Sequence, residues 1–466
     1  MGTNRSKKTR DNEIKLVNYF FIILTKNYQK IQQFRNKIYR LLGPAKDATF
    51  ELMDAVLLTR KAYSFAELSL SPVFRRKWCS LYEALDDCRL NRKKLSRLYL
   101  QEIPKNKRII LAGDHTPWPR TEAATLKDRT YEHGAKVISG KPVTLGHGYS
   151  TLAYIPEEQG SWALPLLHER ITSFETPITR AVFQLKQVSK QLKVRPLTLW
   201  DSEYGCAKFL NLTAGINADL LIRIRPNRCV FGKPKKEEKN QMGRPKIHGH
   251  KMKLSDSATW SVPVDSIEID DPIWGTVEIQ RWSEFHFTGS AERPMEIILI
   301  QRTGKGLSKR AAKPMWLAWI GEEKLSLKEL WKLYLRRFAI EHWNRFAKQR
   351  LHWTLPKLGT TKKGQRWSDL MPILTWQLWL AREIIEDNPL PWQKPQSCEK
   401  LTPGRIAQSF SGVLATIGTP AKSPKPRGKS PGWLAGKKRN KKPRYPVVKK
   451  TVTRKKKEKK TEKEAD

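Results

Sequence analysis

Acid is scarce in this chain beside its base. Its 466 residues carry 89 Lys plus Arg against 45 Asp plus Glu, a formal charge of +44. The stretch from Lys422 to Asp466 holds 19 basic and 4 acidic residues, a net +15, which leaves +29 on the preceding 421. A body that basic repels itself until a polyanion neutralises it, so nucleic acid is the leading partner. Charge alone selects no activity, because a purely structural binder would show the same balance. Cysteine is thin as well. Cys79, Cys88, Cys206, Cys229 and Cys398 are scattered, odd in number and never spaced C-x-x-C, which speaks against a zinc site or a disulfide framework. They read as reduced thiols in a cytosolic compartment. Long apolar runs are missing too. The most apolar early segment, "YFFIILTKNY", is interrupted by Thr25 and Lys26 and falls well short of the roughly 20 residues of a membrane span. No cleavable signal follows the start, so no membrane attachment is expected.

What is present changes texture along the chain. Residues 1–105 read as a helical, DNA-binding domain. "KIQQFRNKIYRLLG", "TFELMDAVLLTRKAY" and "LYEALDDCRLNRKKLSRLYL" place apolar residues at helical spacing, and Gly43-Pro44 punctuates the first two. A helical packing domain with solvated charges would look the same. Residues 106–226 alternate strands with helices, as in a mixed α/β sheet: "RIILAGDHT", "HGYSTLAYI", "PLTLWDSEYG", the helical "CAKFLNLTAGI", then "ADLLIRIRP". Two of its apolar runs end on an aspartate, Asp114 and Asp201, and strand ends are where open α/β sheets build sites. Residues 227–322 read as an all-β insertion, through "TWSVPV", "WGTVEIQRW", "MEIILIQRT" and "PMWLAWIG". Helical texture returns over 323–400. Residues 401–466 form a basic tail, which from about Pro420 is too polar to bury a core and is expected to be disordered when unbound.

The segment "LYLRRFAIEHWNRFAKQR", Leu333 to Arg350, isolates one carboxylate among five cations. With 100° per residue on one continuous helix, Tyr334, Arg337, Glu341, Arg345 and Lys348 share a stripe about 80° wide. Leu335, Ala339, Trp343 and Phe346 lie on the other, core-facing side. An amphipathic helix with a salt-bridged Glu would give the same pattern. The company of Asp114 and Asp201 suggests more. Three carboxylates can hold two divalent ions, activating a water or hydroxyl and stabilising the leaving oxygen in phosphodiester transfer. Neighbouring cations would then hold DNA phosphates in register.

"YLRRFAIEHWNRFAK" resembles the Y-x2-R-x3-E-x6-K signature of a subgroup of bacterial insertion-sequence DDE transposases, through Tyr334, Arg337, Glu341 and Lys348. "LAGDHT" resembles that family's first-Asp strand. "LTLWDSEYGCAKFL" with "LLIRIRPNR" resembles its second-Asp strand, the helix after it and a strand ending in arginines. The 140 residues from Asp201 to Glu341 are long because of the β insertion, as in the subgroup. The resemblance covers roughly residues 107–385. It implies an α/β fold: an RNase H-like mixed sheet with helices, an all-β insertion before the last catalytic helix, and an N-terminal helical domain. It implies Asp114, Asp201 and Glu341 as catalytic residues and ligands of two Mg²⁺ (or Mn²⁺) ions. Tyr334, Arg337 and Lys348 would contact the transposon end, with Arg345 on the same face. The implied reaction is metal-dependent cleavage at inverted-repeat ends and strand transfer into target DNA, by a protein dimeric when synapsed on DNA in the bacterial nucleoid. Relatives often pass through a hairpin intermediate in which a Trp of the insertion stacks on a flipped base. Trp316 is the first candidate for that role and Trp319 the second. A catalytically inactive DNA-binding relative, or an RNase H-like nuclease without strand transfer, would share most of these features.

Lesser signals complete the reading. The Gly-Arg-Pro-Lys core of "MGRPKIHGHK" resembles minor-groove hooks and makes Arg244 and Lys246 candidate DNA contacts. Glu203, two residues after Asp201, reads as a surface residue. His115 reads as a hydrogen-bonded structural histidine, and Asp270 and Asp271 as turn residues.

Overall fold

The computed structural model describes residues 24–105, 107–138, 141–234, 246–303, 313–426, 432, 434–438 and 440–449. It opens with helices α1 (24–41), α2 (Lys46–Leu58), α3 (Cys79–Asp87) and α4 (Arg92–Gln101). The break between α1 and α2 is where Gly43-Pro44 suggested it. Gly43 has φ +77°, and a side chain there would press on the backbone of Arg89. Then follow β1 (Ile110–Pro119), β2 (Thr130–Ile138), β3 (Lys141–Tyr154), β4 (Leu164–Ile171), α5 (Pro177–Ser189), β5 (Leu197–Trp200), α6 (Ala207–Thr213) and β6 (Asp219–Ile224).

Strands β4, β3 and β1 run antiparallel in that order, and β5 and β6 follow parallel to β1. That is the order and direction of an RNase H-like core. Strand β3 is long enough to serve two neighbours on one side: β2 along its first part and β4 along its second.

After a two-stranded ribbon of β7 (Cys229–Phe231) and β8 (Lys251–Lys253) come β9 (Asp265–Asp271), β10 (Gly275–Phe285), β11 (Met295–Arg302) and β12 (Met315–Ile320). Apart from that ribbon, the insertion does not form a sheet of its own. Strand β12 pairs antiparallel with β6, and β11, β10 and β9 extend the core sheet outward. Asp271 caps the β9–β10 turn by accepting from the backbone N–H groups of Ile273 and Trp274, the turn role expected of it.

The chain closes with α7 (Leu327–Leu335), α8 (Phe338–Gln349), α9 (Thr361–Ala381) and α10 (Pro403–Ile417). Helix α9 is buried nearly all round and packs on β4. Helices α2, α3 and α10 gather on α9. Arg35 of α1 donates two hydrogen bonds to Asp54 of α2 and one to Gln377 of α9, so the first helices are tied to one near the other end of the sequence. The tail expectation needs correcting at its start. Residues 403–417 are not tail but α10, whose Ile406, Phe410 and Val413 are buried at helical spacing. Farther on, the backbone N–H groups of Tyr445 and Val448 donate to the carbonyls of Ala124 and Arg129. No helix among the described residues is long and apolar enough to cross a membrane.

Candidate active site

Strand β1 does not end at Asp114. It continues to Pro119 because β3 supplies ladder partners along its whole length, while β5 stops supplying them after the pair Gly113–Trp200. Asp114 therefore sits where β1 and β5 part, and Asp201 is the first residue past the end of β5. Parallel pairing brings the two acids to the same level of the sheet, at the mouth of a fork. Gly113 makes this register possible. A Cβ at that position would overlap the indole of Trp200, which is fully buried against Tyr204 and Phe209. The Trp200 indole N–H donates to Thr198 Oγ1, and Thr198 donates onward to the Asp219 carbonyl, fixing β5 on β6.

Past Asp201 the chain turns, with the Tyr204 N–H donating to the Asp201 carbonyl. This turn takes Glu203 out of the strand. Glu203 Oε2 lies 2.8 Å from Nδ1 of His115, the neighbour of Asp114. His115 is thus hydrogen-bonded as expected, whereas Glu203 is a partner of the site rather than a bystander. Burial would lower the His115 pKa, but the Glu203 hydrogen bond and charge, with Asp114 and Glu132 behind them, raise it overall.

The third acid arrives on α8. Here one continuous helix was expected, and two were found: α7 stops at Leu335 and α8 starts at Phe338, with Arg336 and Arg337 in the break. The first half of the stripe lies inside the protein all the same. Tyr334 is fully buried and Arg337 is 2% exposed, whereas Glu341 and Arg345 are exposed. Tyr334 therefore has no surface to offer DNA in this structure, a correction to the role assigned to it. Arg337 faces inward: its Nη2 donates to Glu341 Oε1 at 2.5 Å. Burial works against its charge, yet Tyr334 and the carboxylates of Asp201, Glu341 and Asp114 together raise its pKa above the ordinary value. One guanidinium thus stands within electrostatic reach of all three acids.

Two more side chains of α8 reach β1. Lys348 Nζ donates to Thr116 Oγ1 at 2.5 Å, and burial lowers its pKa against the opposing charge of Asp114. Asn344 Nδ2 donates to Asp114 Oδ2 at 2.8 Å, while its own Oδ1 is buried without a partner. Sequence reading missed Asn344, although its place three residues after Glu341 puts it on the same helix face. Burial, with the repulsion of Asp201, pushes the Asp114 carboxyl up to about 6 against the pull of His115 and Arg337.

Trp316 is corrected outright as a base-stacking residue. Its ring is fully buried on β12 among Trp260 and Trp282, and Trp319 is 3% exposed. Residues 316–319 of β12 are all buried, so both faces of the strand are packed and neither ring is free. Arg244 lies outside the described residues, and Lys246 is exposed at the start of the segment leading into β8.

The donors here are hard oxygens, the type that suits Mg²⁺ or Mn²⁺, and the orphaned Asn344 Oδ1 adds another beside Asp114. Among the described residues, however, no group of three or more His, Cys, Asp or Glu side chains is gathered tightly enough to hold an ion. The cation that the three acids share is Arg337.

Residues 38–284 match the model of the DDE superfamily endonuclease family. That span is more than half of the chain and includes both Asp114 and Asp201, so the protein belongs to this family. A solved piggyBac transposase synaptic complex with hairpin DNA aligns with 86% of this chain and 82% of that chain, at 11% identity and a TM-score of 0.38. None of the curated proteins matches.

Proposed function

We propose that the protein is a DDE transposase that cuts DNA at inverted-repeat ends and joins the freed 3′ ends to target DNA. The observation that carries this reading is the fork of β1 and β5, where Asp114 and Asp201 meet in an endonuclease-family core and α8 adds Glu341 through Arg337. Asp114 and Asp201 would hold Mg²⁺ or Mn²⁺, with Glu341 joining them on release from Arg337. The ions supply a Lewis acid for the scissile phosphate and an activated water or hydroxyl. Asn344 holds the Asp114 carboxylate in one orientation. His115 and Glu203 form a polar wall beside it, and Lys348 and Arg345 are the cations of α8 nearest to an incoming phosphate. The Y-x2-R-x3-E-x6-K spacing supports placement in the insertion-sequence subgroup, working on the bacterial nucleoid as a dimer across two ends. The test is to incubate the protein with Mg²⁺, a duplex bearing the repeats that flank its gene, and a plasmid target. Joined products with 3′ ends on the target support the reading. Cleavage without joining reduces it to a nuclease.

One observation favours a second reading, a DNA-binding relative that has lost its chemistry: Arg337 pairs with Glu341 and lends its charge to Asp114 and Asp201 where a metal would sit. Thermal unfolding with and without Mn²⁺ separates the two readings. A metal-using enzyme gains stability with rising Mn²⁺ because the ion binds the folded state alone, and a dead relative gains none.

A further inference from the structure

At the free edge of the core sheet, two strands from β1 and so about 10 Å across the sheet from it, an open cleft of about 830 Å³ separates α4 from β4, α5 and the start of α9. We infer that this cleft is a second DNA site, which grips the phosphodiester backbone of a duplex away from the acids.

Its lining presents six cations, Arg89, Arg92, Arg170, Arg180, Lys362 and Arg366, against two acids, Glu169 and Asp369. Three of the arginines are anchored by carboxylates: Arg92 on Asp369, Arg170 on Asp128, and Arg180 on Glu169 and Glu175. Arg366 donates only to the carbonyls of Leu85 and Asp86. Arg89 likewise donates to carbonyls, and both it and Lys362 are exposed. Arg180 Nε is buried without a partner. The cluster is therefore held in place while part of its charge stays unanswered.

The two helices that open onto the cleft sharpen the point. Arg92 is the first residue of α4, and Thr361 and Lys362 are the first of α9. Neither helix has an acid in its first turn, and both have lysines there instead. Cations at the positive end of a helix dipole are unfavourable unless an anion shares the site. The lining also contains no Phe, Tyr or Trp. A site without aromatic platforms offers unpaired bases less to stack on, and its carboxylate- and carbonyl-anchored arginines favour the backbone of a duplex over an unpaired strand.

The choice of DNA as the polyanion rests on the function proposed above. The test measures binding of a short random-sequence duplex by fluorescence anisotropy across a salt series, with EDTA present so that no chemistry intervenes. The Arg89→Gln/Lys362→Gln variant should weaken binding about tenfold and flatten the slope of log K against log salt by about 2, roughly 0.9 for each phosphate left without its cation. A control pair with the same charge change elsewhere, Lys253→Gln/Lys328→Gln, should flatten it by less than half as much. Equal effects from the two pairs would overturn the proposal, because net charge alone would then account for both. If circular dichroism shows the double variant misfolded, Lys362→Gln alone repeats the comparison against Lys328→Gln, with half the slope change expected. Failure of the cleft would leave metal-dependent cleavage intact, whereas failure of the transposase reading would remove cleavage and leave the salt slopes as they are.

Discussion

Gly113 shows how one missing side chain places two acids. The close approach of β1 to the Trp200 indole puts Asp114 level with Asp201, and no other residue fits there. Gly113→Ala should cost about 1–3 kcal/mol as overpacking and should depress cleavage more than stability, because it separates the acids. Urea denaturation together with a cleavage assay checks this. A stable variant with the original cleavage rate would detach the fork from the chemistry. Trp316 makes the opposite case. As a fully buried ring it should cost about 3–5 kcal/mol on replacement by Ala and lower melting temperature and cleavage in parallel. A variant of unchanged stability that fails only on substrates needing a flipped base would restore the stacking role. That Asp114 and Asp201 come to one level of the sheet was legible from the apolar runs they close. The burial of Tyr334 and Trp316 was not, because burial depends on which elements pack over a residue, and local spacing does not report that.

The segment of α7 and α8 is where helical periodicity misled. A continuous wheel put Tyr334 and Arg337 beside Arg345 on an open face, but the fold covers the first two and leaves only later positions such as Glu341 and Arg345 on the surface. The elements and their order were readable where apolar residues ran together, as in β5, β6, β11 and β12, or alternated, as in β10. The extension of β1 to Pro119 was not, since it depends on β3, thirty residues away. Helix α9 carries a further consequence. Burial raises the pKa of its Asp369 to about 6, against the pull of Arg92 and Gln365. The folded protein thus holds this proton more tightly than the unfolded chain, so the group's contribution to stability falls as pH rises from about 4 through 6. Asp369→Asn should flatten that part of the stability–pH curve, by on the order of 2 kcal/mol across the window. Urea melts at pH 4.5 and pH 7.5 measure it, and an unchanged pH profile would mean that the Arg92 pair keeps Asp369 charged throughout.

For the whole molecule, the charge of +44 meets a fold whose first helices are stapled to its last. Composition could suggest a helical N-terminal region but could not show that Arg35 pairs with Asp54 and reaches Gln377 of α9. Arg35→Ala strands a buried carboxylate and should cost about 3–5 kcal/mol, unfolding α1, α2 and α9 together. Hydrogen exchange of all three helices reads this, and loss of protection in α1 alone would make the N-terminal helices an independent unit. The proposed catalysis requires Asp114, Asp201 and Glu341 to act as one site. The measurement that reads this directly is the rate of Mg²⁺-dependent cleavage of end-bearing DNA by the parent protein and by Asp114→Ala, Asp201→Ala and Glu341→Ala. Each substitution should lower the rate by at least about 10³-fold, the loss of several kcal/mol of transition-state stabilisation, while the DNA still binds. A Glu341→Ala protein that cuts at the parent rate would contradict a three-acid site.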